Sequence, residues 1–207
     1  MRRPLGAAAL TSLVAALSLG FSATAAQAAT LTWTVAPGGA ITGTAGTTTL
    51  KDNTAGLTVT CTSSGMTGSL KSGSGLKGAG IGSVTSIAFN NCSVDGVTLS
   101  VSTGTVAFPL NLKSYKSGVS SGKIAHIHFA VTSSVCSFVV DGTSATADNG
   151  AVRVKYGNKA HTLKVLPSGS TLHIYDVSGC FSLISNDDAA SVSGAFVVSP
   201  AQKITAS

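Results

Sequence analysis

Two histidines one residue apart, His126 and His128, sit in the apolar run KIAHIHFAV from Lys123 to Val131. Imidazoles at i and i+2 leave a strand on the same face, a spacing that can chelate zinc or copper, but a tight site needs a third or fourth ligand. The other attractive donors are His161, His173 and Asp176. The strand register worked out below sets His161 and His173 on opposite faces, so at most one of those two imidazoles can join. Alternation alone accounts for the run, with Ala125, Ile127, Phe129 and Val131 on one face and both histidines on the other. The expectation is a pair of exposed strand histidines. If the chain holds a metal, His126 and His128 are its ligands, and no cofactor is implied.

Other chemistries are poorly supplied. Gly118-Val119-Ser120-Ser121-Gly122 matches G-x-S-x-G, yet a nucleophile elbow needs a helix after it and here another strand follows. His126 and several aspartates could nominally complete a triad, but the stretch reads as a Ser/Gly turn. Glycosidases use two carboxylates flanking the bond. This chain has no glutamate, and its aspartates fall in turn settings (Asp52, Asp95, Asp141, Asp148, Asp187, Asp188) or at a strand end (Asp176). Lys77 to Gly82, KGAGIG, lacks the strand-to-helix context of a phosphate loop. An aromatic platform for sugars would have to be assembled from Trp33, Tyr115, Tyr156 and Tyr175, and the register points Tyr156 inward. The Thr-rich TAGTTTL is not sustained as an ice-binding repeat. The reading is non-enzymatic.

Strands must position these groups. Charged residues are 10% of the chain against a usual figure of about 25%, and Ser, Thr, Gly and Ala take their place, which suits short strands and tight turns. Asp95-Gly96 folds NNCSV onto VTLSV, so Cys92 faces Leu99 and points inward. Ile87 and Phe89 have the opposite parity, which predicts a bulge near Asn90-Asn91. After Ala145, turn signals at Asn149-Gly150, Gly157-Asn158 and Ser168-Gly169 predict a meander. A two-residue loop at Gly157-Asn158 opposes Val154 to His161, Val152 to Leu163 and Arg153 to Thr162. Continuing across Ser168-Gly169 opposes Leu163 to Ile174, Lys164 to His173 and Thr162 to Tyr175. One outer face would then carry Arg153, Lys155, Lys164, His173 and Tyr175, a candidate contact surface for an anion or glycan. Gly65 to Gly82 reads as a mobile Ser/Gly/Lys loop.

The first 28 residues carry two arginines, an apolar stretch from Leu5 to Phe21 and Ala26-Gln27-Ala28, the parts of a secretory signal peptide cleaved after Ala28. Pro4 directly follows the twin arginines, which favours the general export route over the twin-arginine one. No cysteine precedes Cys61, and Leu166-Pro167-Ser168-Gly169 has no hydrophobic tail behind it. The product is expected to be released or loosely wall-associated. Residues 29–207 form one domain, with no transmembrane segment after cleavage. Losing Arg2 and Arg3 lowers the balance from +6 to 11 minus 7, or +4. Scattered lysines and few aromatics argue against a nucleic-acid partner and for a loose affinity for anionic wall polymers. Cys61, Cys92, Cys136 and Cys180 all lie in the exported part and predict two disulfides, with three pairings open. No CxxC knuckle exists to make them a metal site.

The stretches LTWTVAPGGAITGTAGTTTLKDNTAGLTVTCTSS, GSGLKGAGIGSVTSIAFNNC, CSFVVDGTSATADNG and LHIYDVSGCFSLISNDDAASVSGAFVVSPAQKIT, with the order of the four cysteines, resemble a group of exported actinobacterial proteins of unknown function. The Ser/Thr/Gly-rich strands and the terminal SPAQKIT are similar to secreted proteins named as activators of alkane oxidation. The resemblance implies a disulfide-linked all-β secreted domain and transfers no catalytic residue.

The expectation is therefore an all-β antiparallel β-sandwich or barrel-like domain of about twelve to fourteen strands with two disulfides. Its expected role is a secreted surface or binding protein. The alternatives are a carrier of apolar small molecules, which would need an internal pocket lined by Val, Leu and Phe, a cell-wall polysaccharide binder and, last, a hydrolase.

Overall fold

The computed structural model describes residues 31–104 and 107–207, so the signal peptide read over residues 1–28 lies outside the described residues. Alternating apolar and polar residues, with turns at Gly, Asn and Asp, make sixteen strands among the described residues. In chain order they are β1 (Trp33–Ala36), β2 (Gly39–Ala45), β3 (Thr48–Asp52), β4 (Thr58–Leu70), β5 (Gly73–Leu76), β6 (Gly82–Val94), β7 (Val97–Ser102) and β8 (Phe108–Lys116). There follow β9 (Val119–Ile127), β10 (Phe129–Thr132), β11 (Cys136–Asp141), β12 (Gly150–Gly157), β13 (Thr162–Leu166), β14 (Leu172–Gly179), β15 (Ala189–Ser199) and β16 (Lys203–Ala206). The fold is all-β and antiparallel, and no helix among the described residues is long and apolar enough to cross a membrane.

The main ladder closes on itself twice. A first ring runs β2–β4–β6–β8–β9–β12–β13–β15 and back to β2, and a second runs β3–β4–β6–β7–β10–β11–β14–β15 and back to β3. The three longest strands, β4, β6 and β15, belong to both. β4 pairs with β3 through Thr58 to Cys61 and with β2 through Ser64 to Leu70. β9 and β10 also run from one ring into the next, interrupted only at His128. An eight-stranded ring has an interior just wide enough to be filled by side chains or to hold one small ligand. A separate three-stranded sheet, β16–β1–β5, buries Trp33, Val35 and Ile204.

Strands shared between rings must change which face they bury. On β4, Val59 and Cys61 are buried, then Ser64 and Met66; on β6, Cys92 is buried, then the half-buried Phe89 and Ile87. The inversion expected at Asn90-Asn91 is present, with Asn91 in the left-handed region at φ 48°. Its form differs from a one-residue bulge. β4 inverts alongside, so Cys61 opposite Cys92 and Ser63 opposite Asn90 keep one offset, and the ladder slips only between Thr67 and Gly68. The Asp95-Gly96 hairpin has the expected pairs, Cys92 with Leu99 and Val94 with Val97. Both disulfides join sequential cysteines, Cys61 to Cys92 and Cys136 to Cys180.

Three expectations are corrected. The Gly157-Asn158 turn is longer, because the Asn158 side chain bonds both the N–H and the carbonyl of Ile204 on β16. Val154 consequently opposes Val165 and Lys155 opposes Lys164. The shift of four residues is even, so the inward and outward sets survive. The meander breaks at Ser168-Gly169: β13 pairs with β15 to close the first ring, while β14 pairs with β11 and β15 in the second. Gly65 to Gly82 is largely strand instead of a mobile loop. Its glycines serve close approach, since a Cβ on Gly78 would meet the Leu112 carbonyl and Trp33 Nε1, and one on Gly82 the Ser69 carbonyl.

Candidate functional site

The second ring is incompletely filled. At the end where the β3–β4, β6–β7 and β10–β11 turns meet the β14–β15 connection lies a cavity of about 130 Å³, walled by Leu50, Leu57, Val59, Leu99, Phe138 and Ile174. An apolar cavity of about 150 Å³ in another protein stays dry and takes up benzene, so a space of this size suits one ring or a short alkyl chain. The rim is apolar as well. Val97, Val135, Phe181 and Leu183 line it and are exposed to 38%, 42%, 75% and 58%.

The rim is built by backbone that sequence patterns do not favour. Cys180, Phe181 and Ser182 form one 3-10 turn with φ of 58°, 50° and 60°, left-handed values that cost L residues on the order of 1 kcal/mol each. The Cys136–Cys180 disulfide and the Cys180 N–H donating to the Val135 carbonyl at 3.1 Å hold this turn and hold Phe181 outward. Three polar residues, Asp52, Asp95 and Ser133, also line the space, and Asp52 alone among them is buried. Asp52 shares the inward face of β3 with Leu50, and its Oδ1 accepts the N–H groups of Thr54 and Ala55 at 2.8 Å. Its Oδ2 is the one buried side-chain oxygen without a partner among the described residues.

A second cluster surrounds His128. Asp141, fully buried at the end of β11, accepts the N–H groups of Gly142, Asn149 and Gly150 on Oδ1 and that of Asp148 on Oδ2. His128 Nδ1 donates to the same Oδ2 at 3.0 Å, with Asp148 Oδ1 3.5 Å away. Burial raises the Asp141 pKa, but the bonds from His128, Gly142, Asp148 and Asn149 outweigh it and hold the carboxyl below its ordinary 3.8. Ligand atoms of His128, Asp141 and Asp148 lie within 4.8 Å of one another. The Asp141 oxygens are already engaged by backbone donors, so this arrangement is a clasp for the 142–149 connection. Among the described residues no hydroxyl or thiol hydrogen-bonds His128.

His126 does not join that cluster. It is the extra residue of a bulge, at φ 60°, where the β9–β12 pairing slips between Ala125 and Ile127. The inward sequence becomes Ile124, Ile127, Phe129 and Val131, in place of the regular alternation expected from Ala125. Arg153, Lys155 and Lys164 stand together, exposed on the adjacent β12 and β13. His173 and Tyr175 are on β14, which pairs with β11 and β15, and there His173 Nδ1 and Tyr175 Oη both donate to the Gly142 carbonyl, at 3.0 and 3.1 Å. Burial, then the charges of Asp187 and Asp141, push the Tyr175 pKa up. Trp33 is only 1% exposed and cannot serve as a sugar platform, and Tyr156 is buried as expected. The Ser/Gly turn expected over Gly118 to Gly122 is corrected: Gly118 turns β8 into β9, but Val119 to Gly122 already belong to β9, where Ser120 is buried and no helix follows.

No protein-family model, curated protein or solved structure matches the chain. The residues that sequence reasoning missed are Asp52, Phe181 and Leu183. The available signal was FSLIS after Cys180, where apolar residues sit in a connection that has no strand to bury them.

Proposed function

We propose that the protein is an exported binding protein for small apolar molecules, held in the mouth of the second ring. The observation that carries this reading is the apolar cavity of about 130 Å³ rimmed by exposed Phe181, Leu183, Val97 and Val135. Concave apolar sites at barrel mouths are the usual seats of such ligands. Export follows from the signal-peptide pattern and is consistent with two disulfides, which persist in oxidising compartments. The binding step needs no cofactor and breaks no bond.

The experiment is a thermal-shift series with benzene, hexane and octane against the oxidised protein, since a ligand that binds only the folded state raises the midpoint. A rise with at least one of them is expected. Phe181→Ser should weaken that ligand about tenfold by removing rim contact. The midpoint of the free protein should stay unchanged, because the ring is already in water. No shift with any of the three, or an unaltered response in Phe181→Ser, contradicts the reading.

A further inference from the structure

We propose that the outer face of the first ring binds an acidic polysaccharide, a site separate from the cavity and independent of what the cavity holds. Lys123 on β9 stands directly opposite Arg153 on β12, and Lys155 on β12 stands directly opposite Lys164 on β13. Like charges placed opposite one another across a strand pair destabilise a sheet. Here two such pairs lie side by side. Lys113, Lys123, Arg153 and Lys155 line one shallow groove with Ser114 and Ser121.

Among the described residues no ion pair relieves this repulsion. The ion pairs among the described residues are both made by His128, and none involves a lysine or arginine. No aspartate lies on β8, β9, β12 or β13, the strands that carry the groove. Neighbouring strands are about 4.8 Å apart and same-face residues about 6.6 Å apart along a strand, so the cations form a closely spaced grid. An extended anionic chain laid across the strands would neutralise both pairs at once.

The groove's chemistry selects among polyanions. No aromatic side chain lines it, so it offers no stacking surface for nucleobases. Two serine hydroxyls stand among the cations, able to donate to and accept from sugar hydroxyls. Lysine predominates, a point charge on a flexible stem that follows carboxylates of variable placement, where bidentate recognition of a fixed planar group would call for arginine.

The test is titration of the oxidised protein with polygalacturonate, neutral dextran, polyphosphate and a single-stranded oligonucleotide. Polygalacturonate should bind and dextran should not, and raising salt from 50 to 200 mM should weaken binding by about tenfold or more through counterion release. In Lys123→Ser with Lys155→Ser, affinity should fall about tenfold or more while the unfolding midpoint holds or rises, because one partner of each opposed pair is gone. Phe181→Ser should leave polygalacturonate binding untouched. Equal binding of polygalacturonate by parent and double variant, or equal binding of dextran, overturns the proposal. Tighter binding of polyphosphate or oligonucleotide than of polygalacturonate also overturns it, by assigning the groove to phosphate polymers.

Discussion

Replacing Cys136 and Cys180 together by alanine should lower the free energy of unfolding by about 4 kcal/mol, the chain-entropy value for a loop of this length, and should abolish binding of the apolar ligand. The bridge closes 44 residues and anchors the left-handed turn that carries Phe181. Without it, three non-glycine residues have no covalent reason to stay in a disfavoured conformation, and the rim relaxes. The Cys61–Cys92 bridge, closing 31 residues between β4 and β6, is the control. Its removal should cost a similar amount, about 3.5 kcal/mol, yet leave the Phe181 turn in place. Urea unfolding gives the stabilities, and ligand titration below the transition gives the affinities. If the Cys136/Cys180 variant binds as tightly as the parent, the turn does not build the site.

Asp141→Ala should destabilise the fold by about 3–5 kcal/mol, the range for removing one partner from a buried charged network. One carboxylate satisfies four backbone N–H groups and His128, and alanine strands all of them. The pH dependence has a definite sign. The folded state holds the Asp141 pKa below 3.8, so the unfolded chain takes up this proton first as pH falls. The stabilisation is complete above about pH 4, the unfolded value. It is lost as pH drops through the lower folded value. The gap in melting temperature between parent and Asp141→Ala should therefore narrow as the pH falls below 4. A gap that stays unchanged or widens as the pH falls below 4 contradicts the assignment.

Much of the fold was legible in local patterns. Alternation marked the strands, Asp95-Gly96 set a hairpin to the residue, and the even register error at Gly157-Asn158 left Arg153, Lys155 and Lys164 outward. Closure was not legible. Which strands meet at Ser168-Gly169 depends on β15, whose contact with β13 is made some thirty residues downstream, and no turn signal encodes it. The candidate site was harder for the same reason. His126 and His128 look paired in an ideal strand, and a bulge at His126 separates their roles. The cavity exists because two rings share strands and one fills less completely, a property of volumes in three dimensions. Only the stray apolar run after Cys180 hinted at it.

The central claim is that the second ring holds an apolar ligand, and methyl NMR of the oxidised protein during a benzene titration tests it most directly. Saturable shifts are predicted for Leu50, Leu57, Val59, Leu99 and Ile184, which face the cavity, with Leu110, Leu163 and Val154 of the first ring silent. An unperturbed spectrum, or shifts spread equally over both rings, would contradict it.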